Sequence, residues 1–107
     1  MRTKNYTRYS GLVVLFLCVA LFINAKYATK PKVLVFTKTA GFHHSSIPAG
    51  IKAIMQLAAE NNFDVDTTTN AELFTEDVLK KYSAVIFLNT TGDVLNNYQE
   101  ADFERYI

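Results

Sequence analysis

Two short stretches of this 107-residue chain hold most of the side chains that could do chemistry. The first is Thr37-Lys38-Thr39-Ala40-Gly41-Phe42-His43-His44-Ser45-Ser46, and the second is Asn89-Thr90-Thr91-Gly92-Asp93. An imidazole moves protons near neutral pH or ligates a metal, so His43 and His44 are the first candidates for direct chemistry. Neighbouring side chains in an extended loop point in opposite directions, so one histidine at most is expected to face a ligand. His44 is the candidate acid/base. The structural alternative is that one ring packs on Phe42 or caps a helix while the other is solvated. Metal ligation is not expected, because no further histidine and no carboxylate pair lies at ligand spacing. Ser45 and Ser46 precede a helix and fit ordinary capping better than binding of an anion or a sugar hydroxyl. Asn89, Thr90, Thr91 and Asp93 offer the hydroxyl, amide and carboxylate groups that bind polyols, and the same stretch equally reads as a turn in which Gly92 takes positive φ. Gly41 stands alone after its strand, which argues against a phosphate-cradling dinucleotide or nucleoside triphosphate loop.

The elements that must position these loops follow from hydrophobic spacing. Lys32–Thr37 is a compact run of β-branched and aromatic residues, too short for a helix, and reads as a buried strand. Ile47 opens a helix whose first turn tolerates Pro48, with Ile47, Ile51, Ile54, Met55 and Ala58 on one face and a stop at Asn61-Asn62. Phe63–Thr68 reads as a shorter strand suited to a sheet edge, with Asp64 and Asp66 solvated. Thr75 caps a short helix to about Lys81, with Phe74, Val78, Leu79 and Tyr82 facing inward. Ala84–Leu88 is apolar on both faces, as in the middle of a parallel sheet. Asn97 and Glu100 have capping-box spacing for a last helix carrying Phe103, Tyr106 and Ile107. Right-handed crossovers then predict an α/β, flavodoxin-like, doubly wound parallel sheet in spatial order 2-1-3. In such a sheet ligands bind outside the carboxyl ends of the strands where the order reverses, and both polar loops leave there. One side of the third strand is left unpaired, and the domain in isolation is expected to be marginal or prone to aggregate.

The N-terminus has a different organisation. Arg2, Lys4 and Arg8 precede an unbroken apolar run from Leu12 to Ile23, and small and polar residues follow. That layout predicts a secretory signal over residues 1–28 ending at Ala25 or Ala28, or an uncleaved anchor over residues 11–23. The run is short of the ~20 residues that span a bilayer as a helix. A periplasmic or extracellular location follows as the expectation. The single cysteine, Cys18, lies inside the run, lacks the small preceding residue of a lipoprotein site and serves as apolar filler. From Ala25 onward eight Lys/Arg stand against ten Asp/Glu, so no basic field argues for nucleic acid or an anionic membrane surface. Contact with membrane is expected only through the N-terminal segment.

The stretch KVLVFTKTAGFHHSS continuing into IPAGI resembles the opening of ThuA-like (trehalose-utilisation type) domains. So do FTEDVLKKYSAVIFLNTTGDVLNNYQ and the EADFERYI that follows it. The resemblance runs from Lys32 to Ile107. It implies a fold similar to class I glutamine amidotransferases, and an association with catabolism of sugars or oxidised keto-sugars. The family-type motif falls on Thr37, Gly41, Phe42, His44 and Ser46 in the first loop, and on Asn89, Thr90, Thr91, Gly92 and Asp93 in the second. Together with His43 these form the expected substrate-binding set. Many members have arginine where this chain has His43, which exchanges a fixed guanidinium for a titratable ring. The resemblance places a glycine-rich strand, a further histidine and the amidotransferase nucleophile region beyond Ile107, so residues 29–107 are expected to be the N-terminal part of a longer domain. Amidotransferase activity is not inferred. No cofactor is implied, and the expected partner is a small-molecule sugar. The leading expectation is an exported carbohydrate-processing enzyme, the alternative a non-catalytic sugar-binding or assembly module. A flavin-binding electron carrier is a distant third, because the first loop is not a Ser/Thr-rich phosphate cradle.

Overall fold

The computed structural model describes residues 29–107, and the signal or anchor expected over residues 1–28 lies outside the described residues. Three strands, β1 (Lys32–Phe36), β2 (Asp64–Thr68) and β3 (Ala84–Phe87), form a parallel sheet in the order β2-β1-β3. Helix α1 (Ile47–Asn61) joins β1 to β2. A 3-10 turn (Ala71–Leu73) and the short helix α2 (Glu76–Leu79) join β2 to β3, and α3 (Asn97–Tyr106) follows β3. This is the expected flavodoxin-like α/β arrangement. In-register pairing brings Phe36 beside Thr68 and Phe87. The carboxyl ends of all three strands therefore open at one level.

The alternation of β1 sorts its side chains to two layers. Leu34, Phe36, Phe74 and Leu79 are fully buried together with the nearly buried Ala71, and Tyr82, Val85, Val94, Leu95, Phe103 and Tyr106 pack against that cluster. Four rings fix its centre: Phe36 and Phe74 lie 4.5 Å apart, Phe36 and Phe87 5.6 Å, and Phe87 and Phe103 5.3 Å. Tilted and edge-on aromatic pairs of this kind contribute about 0.5–1.5 kcal/mol each beyond their buried area. On α1, Ile47 and Ala58 are buried, in keeping with the helical spacing. Gly50 lets this helix approach the sheet closely, since a β-carbon there would lie 2.9 Å from Cδ1 of Leu88.

Several local expectations need correction. Met55 is 52% exposed, so it does not serve the inner face of α1 expected for it. Helix α2 stops at Leu79, short of Lys81, although Thr75 caps it as expected, its Oγ1 accepting from the Val78 amide at 3.4 Å. The capping box of α3 sits one residue earlier than Asn97 and Glu100. Asn96 Oδ1 accepts from the Gln99 amide, and Gln99 Oε1 accepts from the Asn96 amide, both at 3.0 Å. Asp66 is not simply solvated. It accepts from Lys32 Nζ at 2.7 Å and from the Tyr82 hydroxyl at 2.8 Å. The hydrogen bond from Lys32, then that from Tyr82, holds the Asp66 carboxyl below its ordinary value. Burial, reinforced by Asp66, pushes the Tyr82 phenol up to about 12.

Candidate functional site

The loop after β1 and the loop after β3 meet above the sheet. Thr39 and Thr91 form an isolated parallel bridge that extends the β1–β3 pairing. The Thr91 carbonyl accepts from the amides of Ala40 at 2.8 Å and Gly41 at 3.2 Å. The Thr91 hydroxyl donates to the Phe42 carbonyl at 2.6 Å. Thr91 thus holds the first loop at three consecutive residues. Gly92 takes φ +74°, and a β-carbon there would lie 3.1 Å from the Gly41 amide nitrogen. Both the left-handed backbone and the close approach require glycine at this crossing. Asn89 also sits in the left-handed region, at φ 50°, which asparagine tolerates better than most residues.

The two histidines find separate partners, as alternation in a loop predicts. His43 Nδ1 and Thr39 Oγ1 share a hydrogen bond at 3.3 Å, its direction set by the tautomer. The His44 ring stands edge-on to Phe42 with centroids 4.9 Å apart. Phe42 is 71% exposed, and both histidines are exposed. His44 therefore combines the packing on Phe42 that a structural role requires with the access that proton transfer requires. Ser46 stands at the N-cap of α1 but makes no side-chain capping bond. Its hydroxyl instead accepts from Asn89 Nδ2 at 2.7 Å, tying the start of α1 to the end of β3. That corrects the capping role expected for Ser46. Thr37 is buried below the loop, its amide donating to the Thr68 carbonyl at 2.9 Å and its hydroxyl reaching the same oxygen at 3.5 Å, so it secures the strand end.

One expected member lies elsewhere. Asp93 lines an open groove of about 520 Å³ together with Lys38, Thr69, Asn70, Glu72 and Gln99. Neither His43, His44, Ser46 nor Asn89 lines that groove. Hydrophobic spacing reports neither a role for Lys38 nor the turn after β2. A cation two residues past a buried strand end was the available signal for Lys38. The contribution of Asn70 and Glu72 depends on the 3-10 turn, which has no hydrophobic period to announce it. Among the described residues no group of three or more His, Cys, Asp or Glu comes together as a metal site would.

Residues 32–107 match the family model described as ThuA, trehalose utilisation. No curated protein and no solved structure matches the chain.

Proposed function

The chain belongs to the ThuA family, and on that premise we propose that it is an exported protein of carbohydrate catabolism that holds a sugar or keto-sugar over the Phe42–Ser46 loop. The observation that carries this reading is the exposed Phe42–His44 ring pair, fixed from beneath by Thr91. An exposed phenyl face suits the C–H face of a pyranose, and the adjacent imidazole can donate to or accept from a ring hydroxyl or carbonyl oxygen. In the catalytic form of the proposal His44 transfers the proton, Asn89, Thr90 and Thr91 orient hydroxyls, and His43 borders the same loop. Export is supported by the basic start and apolar run before Asn24. Mass spectrometry of the protein recovered from cells checks that part: a mature chain beginning after Ala25 or Ala28 agrees with it, and an intact cytoplasmic chain opposes it.

A second reading has its own support. The same exposed ring pair can hold a sugar with no proton transfer at all, which suits a sugar-binding module without turnover. One comparison separates the two. In the enzyme, His44→Ala lowers turnover of a sugar or keto-sugar by about 10²-fold or more, a much larger loss than its effect on affinity. Saturable sugar binding with no turnover in either protein would decide for the binding module.

A further inference from the structure

The β3–α3 loop has two sides, and the side away from His44 carries a built polar groove. We propose that the groove lined by Lys38, Asn70, Glu72, Asp93 and Gln99 is a second ligand site, one that takes a neutral polyhydroxylated molecule such as a sugar unit. It goes beyond the Phe42–His44 site and rests on the carbohydrate reading only for the choice of probes.

The position and the lining chemistry argue for it. The groove opens at the carboxyl ends of the sheet: Lys38 follows β1, Thr69 to Glu72 follow β2, and Asp93 to Asn96 follow β3. That is where ligands of such sheets enter. Its volume of about 520 Å³ lies within the ~300–1,000 Å³ of small-molecule sites. Lys38 is held in place, its ammonium donating to the Val94 carbonyl at 3.1 Å, and two further N–H donors remain for a ligand. Several polar groups of the lining are committed to the fold. Asn70 Oδ1 accepts from the Glu72 amide at 3.0 Å, and the Asn96 side chain and Gln99 Oε1 complete the cap of α3. These bonds make the wall rigid and turn the Gln99 amide nitrogen into a defined donor. The Glu72 and Asp93 side chains are exposed.

Charge selects the ligand class. Two carboxylates and one ammonium leave a net charge of −1, which disfavours phosphate or carboxylate ligands. A polyol suits the same groups, because each hydroxyl donates to a carboxylate while accepting from Lys38 or Gln99. The lining is also more polar than an aromatic or lipid ligand would match.

The test is a titration of the full chain, 15N-labelled, with glucose, trehalose and, separately, gluconate, followed by amide shifts. Saturable shifts at Glu72, Val94 and Gln99 with the neutral sugars, weakened about tenfold in Glu72→Gln and Asp93→Asn but not in His44→Ala, are the expected result. Tenfold corresponds to about 1.4 kcal/mol, the scale of one hydrogen bond to a charged group. Shifts confined to Phe42, His44 and Thr91 overturn the groove proposal and leave the loop reading standing. Shifts confined to the groove support it and count against the loop. Groove shifts with gluconate and not with the neutral sugars overturn the ligand class, and no response at either place overturns both sites. Glu72→Gln and Asp93→Asn alter exposed side chains that make no hydrogen bond among the described residues, so their spectra otherwise superpose on the wild type.

Discussion

At the scale of single residues, the site depends as much on Thr91 and Gly92 as on the histidines. Thr91 accepts two amides through its carbonyl and donates its hydroxyl to Phe42, so Thr91→Val removes the side-chain tie and keeps the shape. The expected outcome is a loss of about 0.5–1.5 kcal/mol in a denaturant titration, with line broadening confined to Ala40–His44 in NMR spectra. Gly92→Val is more damaging. It places a β-branched residue at φ +74° with its β-carbon 3.1 Å from the Gly41 amide nitrogen. Strain of that kind costs about 1–3 kcal/mol, and a melting temperature equal to wild type would contradict the crossing described here. The sequence located these loops but not how they divide. Asp93 adjoins Gly92 in the chain, yet it lines the groove, because the loop passes the Lys38–Thr39 segment between Thr91 and Val94. No periodicity reports such a crossing.

At the scale of elements, strong apolar periodicity was legible, and the ends of the shorter helices were less so. β1 announced itself by the apolar run Val33–Phe36, and α1 by its Ile47 to Ala58 spacing. The box on α3 escaped by one residue because Asn96 and Asn97 are both good caps, and only the backbone decides between them. Asn96→Ala should therefore destabilise by about 1 kcal/mol and Asn97→Ala by much less, measured by chemical denaturation. Phe74 is fully buried against Phe36 and Phe87, so Phe74→Ala should cost about 3–5 kcal/mol. The Lys32–Asp66–Tyr82 group joins β1, β2 and the turn before β3 and sets a pH dependence. The lowered Asp66 value means that its contribution is full above the ordinary carboxylate value of about 3.9 and is lost as pH falls through the folded value. The raised Tyr82 value means the unfolded chain loses that proton first, so stability falls as pH rises from about 10 towards about 12. In melts across pH, Asp66→Asn should flatten the acid limb and Tyr82→Phe the alkaline limb, and unchanged limbs would remove the group from this role.

At the scale of the whole molecule, the order β2-β1-β3 brings two loops far apart in sequence to one end of the sheet, and that much was readable from right-handed crossovers alone. Among the described residues β3 pairs on one side only, and Phe87 on it is partly exposed. The central claim is that a sugar rests on the Phe42–His44 pair. Calorimetric titration of the full chain with trehalose, beside Phe42→Ala, tests it most directly, because Phe42 is exposed and its removal spares the fold. The account predicts saturable binding to the wild type and a loss of about tenfold or more in the variant at an unchanged melting temperature. Equal affinity in the two proteins, or no binding to either, would contradict it.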